Sequence, residues 1–280
     1  MSAPPRHPAP AGFAWREAPG LRIAADAALE PALAAAGLLD PERVRARLAE
    51  AQGARGRAPI AVATLAGGAG RVALRGLRRG GWLAPLLGGA LADARRPFTE
   101  LAVTARLRGA GAPVPRPLFA IAWRRGAVWN AALGTAFVDD AVDAATLLAA
   151  PPPRVHLRRI LAASGQAVRR FHDVGGAHPD LHAGNLLVRD GGERVAVWIV
   201  DLDGARAGAP QGAAARMAQL MRLYRSLHKR GLLAAAGGPR GALWFLRAYT
   251  AGDRALRQAL LARLPAERRR LARHALLYPS

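Results

Sequence analysis

The 280-residue chain contains no cysteine. Disulfides, thiolate metal sites and a cysteine nucleophile are therefore excluded, and the composition fits a reducing, cytosolic setting. Lysine is almost as scarce, with Lys229 the only one, so positive charge elsewhere is carried by arginine. Acidic residues are few, 19 against 41 basic, which leaves a formal charge of +22. An arginine- and alanine-rich composition accounts for part of this surplus. The remainder favours anionic partners: nucleic acid, phosphorylated sugars or an acidic membrane face. Aromatic residues make up only 5% of the chain, and the tryptophans lie mostly in apolar segments. The interleaved basic and aromatic pattern of single-stranded nucleic-acid binders is thus missing, and no nucleic acid partner is expected. No uncharged apolar run approaches the roughly 20 residues of a spanning helix. The longest candidate, Gly126 to Val138, contains Asn130 and Gly134 and reads as a strand and a connection. Met1 to Pro8 lack an apolar signal core, so no leader is expected.

Hydrophobic residues reach 51%, enough for a packed core in one large domain or two lobes. Residues 1–20 are proline-rich and read as extended or loose. Residues 26–37 and 41–51 read as helices, with Asp40 as N-cap and Pro41 in the first helical position. Pro59 to Leu65 and Arg71 to Arg75 read as paired strands around the turn Gly67-Gly68-Ala69-Gly70. Pro97 to Arg108 reads as a helix whose buried stripe is Phe98, Leu101, Ala102 and Ala105, with Glu100 off that stripe. Pro117 to Trp123 and Ala127 to Leu133 form another hairpin, and Gly134-Thr135 reads as a connection between lobes. Beyond it come short helix 140–150, a longer helix 155–173, two buried strands (Leu186 to Val188 and Val195 to Val200), and a basic helical region from about 210.

The stretch His178-Pro179-Asp180-Leu181-His182-Ala183-Gly184-Asn185, with Asp201-Leu202-Asp203 after the second strand, carries the chemistry. Asp180 and Asn185 are five apart, and Asp201 follows Asp180 by 21 positions at the end of an apolar run. Acid, amide and second acid in this order suit the alignment of a hydroxyl, a metal–nucleotide complex and a phosphoryl group. The spacing H-x-D-x-x-x-x-N with a strand-terminal Asp resembles the catalytic and metal loops of protein-kinase-like phosphotransferases. Such a fold needs a cation on an early strand. Lys229 lies too late in the chain, so Arg75 is the positional candidate, and Glu100 is placed in order to pair with it. Gly53 and Gly56 are the candidates for a glycine-rich phosphate loop, although the full G-x-G-x-x-G spacing is absent. Arg78-Arg79-Gly80-Gly81 reads as a basic turn facing an anionic acceptor.

Within that superfamily, the chain resembles the lipopolysaccharide kinase family, and most the branch that acts on 3-deoxy-D-manno-octulosonic acid (Kdo). The matching residues are Arg75 through Gly81, Arg96 to Glu100, Gly111 to Pro117, Phe171 to Asn185 and Ile199 to Arg206, over roughly residues 53–250. The resemblance implies an α+β, bilobal protein-kinase-like fold. Residues 53–133 would be an N-lobe with an antiparallel sheet and one main helix. Residues 134–280 would be a mostly helical C-lobe, and residues 1–52 an N-terminal extension with short helices. It further implies ATP- and Mg²⁺-dependent phosphorylation of a Kdo hydroxyl on an anionic Kdo–lipid A glycolipid, at the cytoplasmic face of a Gram-negative inner membrane and without a membrane-spanning helix. Asp180 would orient the acceptor hydroxyl and His182 would lie near the transferred phosphate. Asn185 and Asp201 would bind Mg²⁺, and Arg75 with Glu100 would hold the nucleotide phosphates. Three departures stand out: Pro179 replaces the arginine of H-R-D, Asp203-Gly204 replaces the usual D-F-G ending, and the strand cation is arginine. Two other readings remain open. One is a phosphotransferase for another core sugar or a small molecule; the other is an inactive kinase-like binding protein.

Overall fold

A computed structural model describes residues 9–51, 60–77, 91 and 93–277. Its chain divides into two compact units: residues up to Arg108 together with Pro115–Val138, and Gly109–Val114 together with the chain from Asp139 onward.

The first unit is built on an antiparallel sheet. Its strands are β1 (Phe13–Ala18), β2 (Leu21–Asp26), β3 (Ile60–Thr64), β4 (Arg71–Leu77), β5 (Pro117–Arg125) and β6 (Val128–Ala136). Their order across the sheet is β1-β2-β5-β6-β4-β3. Helices α1 (Glu30–Ala35) and α2 (Pro41–Ala51) pack on one face, where Leu33, Leu38 and Val44 meet Ala61, Ala63, Val72, Leu74 and Ile121. Helix α3 (Arg95–Gly109) packs on the other face, with Phe98 and Leu101 against Ala24, Leu77, Ala120, Ala122 and Leu133. Asp40 caps α2 as its sequence position predicts: its Oδ1 accepts from the backbone N–H groups of Glu42 and Arg43, both at 2.9 Å.

Four expectations are corrected here. Residues 13–18 are not loose but form β1, joined to β2 by the two-residue turn Pro19-Gly20, with Gly20 at φ +75°. Glu17 stands opposite Arg22 in this hairpin and accepts from its Nε at 2.8 Å. The helix expected over 26–37 shrinks to Glu30–Ala35, because Asp26 ends β2 and its Oδ1 accepts from the N–H of Ala28. Gly134-Thr135 is not a connection but lies within β6, near its C-terminal end, and is paired on both edges, to β4 and β5. Gly134 is there because the Phe119 ring lies where a side chain would be: a Cβ would sit 2.1 Å from Phe119 Cε1. The buried face of α3 is also rotated from its expected position. It comprises Pro97, Phe98, Glu100, Leu101, Thr104 and Leu107, so Glu100 lies on it.

The second unit is mostly helical. A short strand β7 (Val142–Asp143) leads into α4 (Ala144–Ala149), capped by Asp143, whose side chain accepts from the N–H of Thr146. Pro151-Pro152-Pro153 separates it from α5 (Arg154–Asp173). A short strand β8 (Gly176–Ala177) is followed by the hairpin β9 (Leu186–Gly191) and β10 (Arg194–Ile199), with β7 on the outer edge of β9. Strand β11 (Arg206–Ala207) returns to pair with β8. Helices α6 (Ala213–Lys229), α7 (Gly238–Thr250) and α8 (Arg254–Leu277) complete the unit. Helices α5 and α7 touch at Gly165, where an added Cβ would stand 2.4 Å from the carbonyl oxygen of Phe245. The fold class is therefore the expected α+β one, an antiparallel sheet in the first unit and a helical second unit.

Candidate functional site

In the first unit, β4 alternates its side chains. Val72 and Leu74 join the core under α1 and α2, while Leu77 joins the core under α3. Arg75 shares the α3 face by the period-two rule. Its Nη2 lies 2.5 Å from Oε1 of Glu100. The Glu100 side chain is 3% exposed and that of Arg75 is 23% exposed, so the pair lies at the edge of the α3 contact. A buried carboxylate needs such a partner, since removing a charge from water is unfavourable without one.

The register shows what lies next to this pair. Ile60 stands opposite Arg75 and Val62 opposite Ala73, and directly opposed residues share a sheet face. Helix α3 does not cover that part of the face: Ile60 is 56% exposed and Val62 39%. The sheet thus carries an open apolar strip beside a guanidinium. The sequence reading missed Ile60 and Val62. Their signal is an inverted alternation in Ile-Ala-Val-Ala-Thr, where small alanines turn to the core and branched residues turn outward. Gly53 and Gly56 lie outside the described residues, as do Arg78 to Gly81.

In the second unit, three loop segments are tied together by hydrogen bonds around His178. Its ring Nδ1 accepts from the N–H of Asp180 at 3.0 Å, which leaves Nε2–H to donate to the carbonyl of Val200 at 3.2 Å. Its own N–H donates to Oε1 of Gln219 at 2.7 Å. Burial lowers the pKa of His178, against the opposing pull of Val200 O and of Asp201 and Asp180, so the ring is a neutral brace. Asn185 Nδ2 donates to the carbonyl of Asp180 at 3.0 Å, and the N–H of Val200 donates to the carbonyl of Asn185 at 3.0 Å. The residues before Asp201 are thereby pinned both to Asn185 and to the loop carrying Asp180.

The side chains at this junction differ sharply. Asn185 is buried, whereas the Asp180 side chain is 72% exposed and free to meet a ligand. His182 Nε2 lies 3.5 Å from Asp180 Oδ2. Asp201 is exposed and held at φ +60°, a left-handed conformation unfavourable for a non-glycine residue by about 1–2 kcal/mol. Strain of that kind persists where the surroundings over-determine it, as the Val200 bonds do here. Among the described residues no group of three or more His, Cys, Asp or Glu forms a metal cluster. The amide nitrogen of Asn185 is occupied by Asp180 O, which would leave its Oδ1, with the Asp201 carboxylate, as the oxygens that could hold a metal. Hard oxygen donors of this number suit Mg²⁺, which commonly takes one or two protein ligands and completes its shell with phosphate and water.

A second buried network supports these loops from below. His172 Nδ1 lies 2.7 Å from the hydroxyl of Tyr249, and Arg216 Nη2 donates to Asp173 at 2.7 Å. Arg169 joins Asp173 to Asp253 on the far side. Burial, with Arg216 adding to it, lowers the pKa of His172 from 6.5 to about 4, and burial pushes that of Tyr249 up to about 12. The unfolded chain therefore binds a proton at His172 that the folded chain refuses between pH 6.5 and 4. Stability should fall as pH falls through that window, by about 3 kcal/mol from this group. Urea denaturation at pH 7 and pH 4 measures it. His172→Gln should show a shallower decline, and an equal decline would remove His172 as its source.

A model of the lipopolysaccharide kinase (Kdo/WaaP) family matches residues 63–249. Among relatives named 3-deoxy-D-manno-octulosonic acid kinase, that of Photobacterium profundum is 35% identical over 162 residues, covering 56% of this chain and 65% of its own length. That of Vibrio cholerae is 32% identical over 185 residues, covering 63% and 71% respectively. The chain thus spans just under two thirds of the first of these relatives. A solved structure described as WaaP in complex with acyl carrier protein shares the fold, with a TM-score of 0.56 and 21% identity over 87% of this chain and 96% of that one.

Proposed function

The chain belongs to the lipopolysaccharide kinase (Kdo/WaaP) family, and we propose that it transfers the γ-phosphoryl group of ATP to a hydroxyl of a Kdo sugar on a lipid A precursor. The observation that carries this reading is the hydrogen-bonded junction in which His178 and Asn185 tie an exposed Asp180 to the backbone leading into Asp201. Relatives that carry the name Kdo kinase support the acceptor.

In this reading Asp180 accepts a hydrogen bond from the acceptor hydroxyl and takes its proton as the new bond to phosphorus forms. His182, beside Asp180, faces the transferred phosphate. Arg75, braced by Glu100, binds the nucleotide phosphates, and its planar fork suits phosphate oxygens. The open strip of Ile60, Val62 and Ala73 gives the base an apolar seat on the same sheet face. Asn185 Oδ1 and the Asp201 carboxylate would hold Mg²⁺, which would supply neutralisation of charge on the phosphates. Catalysis in this scheme is alignment and charge stabilisation, with no covalent enzyme intermediate.

The charge surplus gains a purpose in the same reading, because Kdo, lipid A and the inner leaflet are all anionic. Helices α6 and α7 contain no acidic residue and α5 only Asp173. No helix of the described residues is long and apolar enough to cross a membrane. In this reading the basic helices attach the protein peripherally to the cytoplasmic face of the inner membrane.

Acceptor-stimulated ADP release tests the reading. With MgATP alone the rate should be low, and addition of Kdo–lipid A should raise it about tenfold or more, whereas lipid A lacking Kdo should leave it unchanged. Equal release with either lipid would contradict the acceptor assignment.

A further inference from the structure

Helix α6 runs alongside the loop that carries Asp180, and three contacts fix which of its faces meets the loop. Gln219 accepts from the N–H of His178, Arg222 Nη1 donates to the carbonyl of His178 at 3.5 Å, and Ser226 Oγ accepts from the N–H of Ala183 at 3.3 Å. These residues bracket Asp180 on both sides in sequence. At 3.6 residues per turn, Arg225 and Lys229 fall on the same stripe as Gln219, Arg222 and Ser226. The chain's only lysine is therefore on this face.

The stripe has no acidic counterweight. No acidic residue occurs in α6, and no ion pair joins Arg222, Arg225 or Lys229 to a carboxylate among the described residues. Arg225 is half-buried and Lys229 exposed. Three cations with no carboxylate partner among the described residues, one of them held to the carbonyl of His178 beside an exposed catalytic-loop carboxylate, are arranged to take an anion. The proposed function already assigns the nucleotide phosphates to Arg75 and to the Asn185–Asp201 pair.

We infer that the Arg222–Arg225–Lys229 stripe of α6 binds the carboxylate of the acceptor sugar, which makes this chain selective for a sugar acid over a neutral sugar. The inference rests on the proposed acceptor. A guanidinium grips a carboxylate through two parallel N–H bonds, and a lysine adds a point charge. With its acid group held on α6, the sugar ring has one fixed orientation toward Asp180. Arg225 and Lys229 are thus substrate-binding residues that set which sugar is accepted.

The test compares free Kdo with its carboxamide, a sugar of the same shape without the charge. Binding is measured by calorimetry on Asp180→Asn protein, so that turnover plays no part, and kcat and KM are measured with both sugars on protein with Asp180 intact. The acid should bind about tenfold or more tightly than the amide, the size of a charge-assisted contact. Adding Arg225→Gln and Lys229→Gln should bring the two sugars within about twofold of each other by weakening only the acid, and should raise KM for the acid more than it lowers kcat. Inorganic phosphate should compete weakly; phosphate binding as tight as that of Kdo would make the stripe a general phosphate site and overturn the inference. Equal binding of acid and amide, or a preference that survives the double substitution, would also overturn it. Should the protein phosphorylate Kdo–lipid A while showing no such preference, the acceptor assignment stands and this inference falls. Should neither sugar bind, this inference falls, and phosphorylation of Kdo–lipid A alone decides the acceptor assignment.

Discussion

Asp180→Ala should lower kcat by about three orders of magnitude and leave stability within about 0.5 kcal/mol of the parent. The asymmetry comes from where the side chain points. Its carboxylate is 72% exposed, and among the described residues its ion-pair partner is His182 Nε2 at 3.5 Å. The structural duties of the residue are carried by its backbone: the N–H donates to His178 Nδ1 and the carbonyl accepts from Asn185 Nδ2. Alanine preserves both bonds. Urea denaturation and steady-state turnover on the same preparation separate the two effects. A variant that keeps most of its activity would remove Asp180 from the chemistry. One that loses stability in proportion to activity would make it a structural residue.

Arg75→Ala should affect both quantities. The Glu100 side chain is 3% exposed, and Arg75 Nη2 contacts it at 2.5 Å. Removing one partner of a buried ion pair leaves a desolvated charge poorly compensated, a loss of about 3 kcal/mol. Nucleotide binding should weaken in parallel, because the guanidinium is the proposed phosphate ligand. The double variant Arg75→Gln with Glu100→Gln separates these roles. It removes both charges from the edge of the α3 contact, so stability should largely return, while KM for ATP stays high. Recovery of ATP affinity along with stability would show that Arg75 only supports the fold.

The contrast between these residues also explains what the sequence made legible. Asp180, Asn185 and Asp201 were readable because their spacing is local and the intervening hairpin, β9 with β10, has strong apolar strands around a Gly-rich turn. Arg75 and Glu100 were readable in order, one at a strand end and one in the next helix. The burial of Glu100 was not, since the stripe drawn through Ala102 and Ala105 rotated the helix; the face is set by Phe98, Leu101, Thr104 and Leu107. Alanine gives a weak signal for which side of a helix is buried, and this chain is rich in it.

Glycine misled in a similar way. Gly134 looked like a break between lobes, yet it sits inside β6 to admit the Phe119 ring. Proline did so at the N-terminus, where the cluster before residue 11 masked β1. The apolar strip of Ile60 and Val62 needed the sheet itself. Only the register to Ala73 and Arg75, and the exposure that shows α3 leaving that part of the face uncovered, distinguishes it from an ordinary strand. The α6 stripe likewise needed the loop contacts, because a basic helix read alone is a solvated surface.

The most direct measurement of the central claim is where the phosphate goes. Protein is incubated with ATP, Mg²⁺ and Kdo–lipid A, the Kdo is released by mild acid, and both fragments are examined by mass spectrometry. The account requires one added phosphate on the released Kdo and none when Asp180→Ala protein is used. Phosphate on the lipid A disaccharide, or unmodified Kdo from well-folded protein, would contradict it.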